Sequence, residues 1–115
     1  MDIQLLADKI NLNTKLKNKV LSLVDRDRAK LIYLCNKAKS GDFKSLFTKN
    51  DLTKLAIALM YSAEITYPKY KRANISDDIF FDTMKDIVVW CENNNNKGLK
   101  NLAWIKNHLN FDLFK

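Results

Sequence analysis

An all-α fold follows from three properties of this 115-residue sequence: two glycines and one proline in the whole chain, apolar residues recurring at helical spacing, and polar segments between those recurrences. A β-rich fold spends glycine and proline on its many tight turns, so their scarcity favours helices joined by polar connections. The length suits one domain able to bury a core without disulfide or metal staples. Residues 1–115 are therefore expected to form a single helical domain, a compact orthogonal bundle of about six or seven helices.

The elements follow in order. Asp2 to Ile10 places Ile3, Leu6, Ala7 and Ile10 at helical spacing and gives way to the turn-like NLNT. Lys15 to Val24 repeats the pattern with Leu16, Val20, Leu21, Leu23 and Val24. Asp25 or Asp27 can cap a third helix through Leu31, Leu34, Cys35 and Ala38, and Gly41 is a stop for it. After the aromatic segment DFKSLF, Asn50 caps a central helix with Leu52, Leu55, Ala56, Leu59, Met60, Ala63 and Tyr67 on its buried face. Pro68 lacks an amide proton and clashes with the preceding turn, so this helix is expected to end or kink near Tyr67. Ser76 caps the next helix, Asp77 and Asp78 sit at its positive end, and Phe80, Met84, Ile87, Val88 and Cys91 form its core stripe. The polar ENNNNKG ends it, and Leu99 to Leu113 reads as a last helix with Leu102, Ile105 and Leu109 on one side.

The net charge of +7 raises nucleic acid as a partner, since neutralising phosphates releases counterions. Against it, only Arg26, Arg28 and Arg72 of the 20 basic residues are arginines, and lysine and asparagine abound throughout the chain, which reads as compositional bias. The charge is uneven: residues 9–49 hold eleven basic and three acidic residues, and residues 75–96 hold one basic and five acidic. Such asymmetry suits an electrostatic contact with a partner or between the two halves. Cys35 and Cys91 sit in apolar helical patterns without the paired spacing of zinc ligands, which points to buried thiols in a reducing cytoplasm. No apolar run is long enough to span a bilayer, and MDIQLLADK is unlike a signal peptide.

Asp78, Asp82 and Asp86 succeed one another at four-residue spacing beside the core stripe. Clustered carboxylates can bind hard cations or share a proton, but Lys85, Lys69, Lys71 and Arg72 are at hand to balance them, and a solvated, salt-bridged face is the favoured reading over an interdomain contact or a metal. His108, one turn after Trp104, has no recognisable nucleophile or orienting acid and reads as a surface or interface residue. Gly41 and Gly98 are too isolated for a phosphate-cradling loop. Tyr61, Tyr67 and Tyr70 interleave with Lys69, Lys71 and Arg72 as in single-strand binders, although half-buried tyrosines at a helix end explain them as well. Trp90, Trp104, Phe111, Leu113 and Phe114 lie beside the core stripes or at the apolar terminus, as core residues or as a patch for a partner.

The run ISDDIFFDTMKDIVVW, followed by CENNNNKGLKNLAWIKNHLNFDLFK, resembles the amino-terminal helical domain of bacterial two-domain acyltransferases of the GNAT-like type. That family shows an isoleucine followed by acids, a D-T-M-x-D-I core, a tryptophan, a K-G-L segment, a W-x-x-x-H-L helix and an L-F ending. The likeness is close over residues 75–115, loose over the central helix, and limited to helical character over residues 1–49. In the family, L-F leads into a carboxy-terminal acyltransferase domain. The resemblance thus implies that this chain is the amino-terminal part of a longer protein, with that domain as its partner in cis. The acyl-CoA loop of the family, Q/R-x-x-G-x-G/A, has no counterpart here, so acyl-CoA is implied for the carboxy-terminal domain and no cofactor, metal or catalysis for this chain. Interdomain or acceptor-groove contacts are implied for Asp82, Thr83, Asp86, Trp90, Trp104, His108, Phe111 and Phe114, and the exposed apolar end also suits self-association of the isolated domain. Two other readings compete. One is a stand-alone nucleic-acid-binding or adaptor protein using Lys15, Lys17, Lys19, Arg26, Arg28 and Lys30; the other is a helical enzyme using Asp82, Asp86 and His108.

Overall fold

The computed structural model of the protein describes residues 1–42 and 49–93, with side chains described for all of these except residues 51 and 86–93. Within them the chain forms α1 (Ile3–Lys9), α2 (Thr14–Arg26), α3 (Arg28–Lys39), α4 (Asp51–Tyr61), a π-helical turn (Ser62–Thr66), α5 (Tyr67–Arg72) and α6 (Asp77–Asn93). α4, the π turn and α5 are continuous, so the described residues make five helical rods and no strand. The class is all-α, as expected. The expected DFKSLF segment, apart from Asp42, and the expected last helix over residues 99–113 lie outside the described residues.

Asparagine and aspartate set many of the helix boundaries. Asp2 accepts the Gln4 amide at 2.6 Å, Asn13 the Leu16 amide at 2.8 Å and Asn50 the Thr53 amide at 2.8 Å, each satisfying a donor that the first helical turn leaves free. Three helices close on a left-handed residue: Asn11 (φ 59) after α1, Gly41 (φ 91) after α3 and Asn74 (φ 56) after α5. In each case the left-handed residue and its successor donate back into the last turn, the pattern of a Schellman cap. The pairs are Asn11 to Asp8 and Leu12 to Ala7, Gly41 to Ala38 and Asp42 to Lys37, and Asn74 to Lys71 and Ile75 to Tyr70. Leu12 is buried, supplying the apolar contact that accompanies such caps. Compositional bias alone therefore does not account for the asparagines, because four of them sit where the backbone needs a short acceptor or a left-handed residue.

Asp27 departs from its expected role. It alone joins α2 to α3, but its side chain makes no cap hydrogen bond and lies 3.4 Å from Arg26 Nε.

α4 is central: α1, α2, α3 and α6 all pack against it. Residues 53–63 are buried on every side, so the helix has no solvent face over that span. The core adds Leu6, Ile10, Val20, Leu31 and Leu34 from the first three helices, Tyr70 from α5, and Phe80 and Met84 from α6. Pro68 bends the hydrogen-bond ladder without ending the helix. The Tyr67 amide reaches back five residues to the Ser62 carbonyl, and Pro68 has no amide to give. The Ala63 carbonyl, bypassed by one and denied by the other, accepts instead from the Met1 ammonium at 3.3 Å.

Candidate functional site

α6 carries the acidic run and divides sharply into two sides. Phe80 and Met84 are fully buried, and Phe80 is gripped edge-on by Tyr67 at 5.0 Å, Tyr70 at 5.2 Å and Phe81 at 5.6 Å between ring centroids. On the other side Ile79 is 54% exposed, and the Asp82 side chain is 76% exposed with Lys85 Nζ 3.6 Å away. Thr83, half-buried, donates its hydroxyl to the Ile79 carbonyl one turn back at 2.9 Å.

Asp77 and Asp82 have different partners. Asp77 is turned inward, accepting from the Tyr67 hydroxyl at 3.2 Å and pairing with Lys71 Nζ at 3.1 Å. Lys71 also lies over the Tyr67 ring, 5.5 Å from its centroid. The hydrogen bond to Asp77, then that to Tyr67, holds the Lys71 ammonium above the usual lysine range. The basic stretch before α6 thus balances Asp77, while Lys85 serves Asp82. No group of three or more potential metal ligands occurs among the described residues.

Of the implied contact residues, the structure brings Asp82 and Thr83 together beside Ile79 on the exposed side of α6. Asp86 and Trp90 lie further along the same helix at four-residue steps, where only the backbone is described. Trp104, His108, Phe111 and Phe114 lie outside the described residues. Ile79 is the addition that residue patterns missed. It directly precedes Phe80 and looks like a core residue, but a step of one residue turns it off the buried stripe.

The tyrosine and lysine stretch does not form a stacking platform, because Tyr61 and Tyr70 are buried in the core. Cys35 is buried as well, 3.7 Å from the Ile57 carbonyl, and burial with the nearby Glu64 charge pushes its thiol up to about 12. Such a thiol is protonated at neutral pH and is not a nucleophile.

Compared with protein families, the chain matches the N-acyltransferase N-terminal domain over residues 1–111. The chain belongs to that family. No curated protein and no solved structure matches it. The match takes in the first 49 residues, where the sequence resembles the family only in helical character. In this N-acyltransferase N-terminal domain the described residues are all helical apart from their connections, and the acidic run from Asp82 to Asp86 lies on α6. Gly41, the one glycine among the described residues, closes α3. No helix among the described residues is long and apolar enough to cross a membrane.

Proposed function

We propose that this chain is the non-catalytic helical half of a two-domain N-acyltransferase of the reducing cytoplasm, and that the exposed side of α6 docks the acyl-CoA-dependent half or frames the acceptor there. The observation that carries the proposal is the pairing of exposed Ile79 with exposed Asp82 on a helix whose other side is sealed in the core. An apolar group next to an anion suits a partner surface with apolar and basic groups. Family membership supplies the context, and Asp86 and Trp90 follow Asp82 at four-residue steps on the same helix. By resemblance the acyl donor is assigned to the other half, and the buried Cys35 thiol is unsuited to carry an acyl group.

The decisive experiment is to read the gene past codon 115. Continuation into a domain with a glycine-rich acyl-CoA loop is the expected result. A stop codon there overturns the two-domain proposal. The rival nucleic-acid reading loses support from the ion pairs: Lys17 is bound to Asp8 at 2.8 Å, Arg26 lies by Asp27, and Arg28 faces Glu64 at 3.9 Å. Three of its six cations thus already have a carboxylate partner within the domain.

A further inference from the structure

We propose that a furrow between α2 and the start of α4 binds a small ligand carrying a phosphate or diphosphate group. It has a volume of about 310 Å³ and is lined by Asn18, Lys19, Ser22, Leu23, Arg26 and Leu52. Lys19, Ser22 and Arg26 follow at helical spacing along one strip of α2, with Asn18 beside them. Together they present an ammonium, a guanidinium, a hydroxyl and a carboxamide, all able to donate, and none of the described lining residues carries a carboxylate. Leu23 and Leu52 give it an apolar floor.

The electrostatics favour an anion. Lys19 has no ionic partner among the described residues, nor does Lys15, one turn earlier on the same strip. Arg26 meets Asp27 only through Nε, at 3.4 Å, which leaves the terminal nitrogens of its guanidinium for a ligand. A phosphate dianion, with several acceptor oxygens around one centre, uses this many donors better than a single carboxylate does. The ligand is small because the furrow holds only Lys19 and Arg26 as cations, and of their neighbours Lys17 and Arg28 are committed to Asp8 and Glu64, leaving Lys15 as a single added charge. This site is separate from the exposed side of α6 and does not rest on the two-domain reading.

The test is a titration of inorganic pyrophosphate into the isotopically labelled chain at low ionic strength, followed by amide NMR shifts. Saturable shifts centred on Asn18, Lys19, Ser22 and Arg26 are expected, with Lys19→Gln weakening the affinity about tenfold, the loss of one charged hydrogen bond. Lys30→Gln, which removes an exposed cation outside the furrow, should leave the affinity unchanged. Both side chains being exposed, equal melting temperatures confirm that the variants fold. Absence of saturation overturns the site, as does an equal effect of Lys30→Gln. Affinity that climbs with the length of an oligothymidylate, well beyond that for pyrophosphate, also overturns it by revealing a backbone track. Each outcome is read from this chain alone and leaves the gene-reading experiment independent.

Discussion

Single residues hold most of the helix boundaries, and two asparagines hold them at a conformational cost. Asn11 and Asn74 occupy the left-handed region, where any residue with a Cβ is disfavoured and asparagine least so. Asn74→Ala should therefore destabilise the domain by about 1 kcal/mol, while Asn74→Gly should be neutral or slightly stabilising, as urea unfolding will show. The opposite order would mean that the Asn74 side chain, not its backbone, closes α5. Cys35 gives a second residue-scale prediction. Its folded pKa, about 12, lies above the value of 9.0 for a free thiol, so the folded state keeps a proton that the unfolded state loses between those values. The stabilisation is complete below pH 9.0 and fades as pH rises toward about 12. Tyr61 and Lys71, also raised, push in the same direction. Cys35→Val should make the alkaline loss of stability shallower across that window; an unchanged slope would show that the thiol does not contribute.

At the scale of elements, the junction of α5 with α6 rests on Phe80 and on the Tyr67, Lys71 and Asp77 cluster, and the two should differ in weight. Phe80→Ala removes a fully buried ring with three aromatic neighbours and should cost about 3–5 kcal/mol. Tyr67→Phe removes only the hydroxyl donated to Asp77 and should cost about 1 kcal/mol, both read from denaturant midpoints. Comparable losses would place the polar cluster, not the ring stack, at the centre of the junction. Much of this was legible in sequence, because Phe80 and Met84 stand four apart and Ser76, Asp77 and Asp78 mark a helix start. Asn50 and Gly41 were legible for the same reason: their chemistry suits few positions other than a boundary. What was not legible came from tertiary context. Periodicity gave α4 one buried face, but neighbours on every side also bury Ile57, Ala58 and Tyr61. Pro68 announced a disruption without saying that a π turn would absorb it, since that depends on where the orphaned Ala63 carbonyl finds a donor. Asp77 looked like one of several dipole-facing acids, and only the fold brings Tyr67 and Lys71 to it.

For the whole molecule, the separation of a sealed core from an exposed strip on α6 makes docking distinguishable from stability. Ile79 is apolar yet more than half exposed, so it contributes little to the fold of this domain and is free to contribute to a contact. In this chain alone, Ile79→Asp should change the unfolding free energy by no more than about 0.5 kcal/mol, as for an ordinary surface substitution. Adding a charge to an apolar contact is a different matter, because the carboxylate is desolvated without a dedicated partner. In a protein containing both halves, the same substitution should therefore loosen the association, seen as independent tumbling in NMR relaxation and as separate thermal transitions. Asp82→Lys should act likewise by reversing the charge that meets a basic surface, again without loss of stability in the isolated domain. If both variants leave the halves rigidly joined, the α6 strip is not the docking surface. If either unfolds the isolated domain, Ile79 and Asp82 support its own fold, and the division of α6 into a core side and a free side falls.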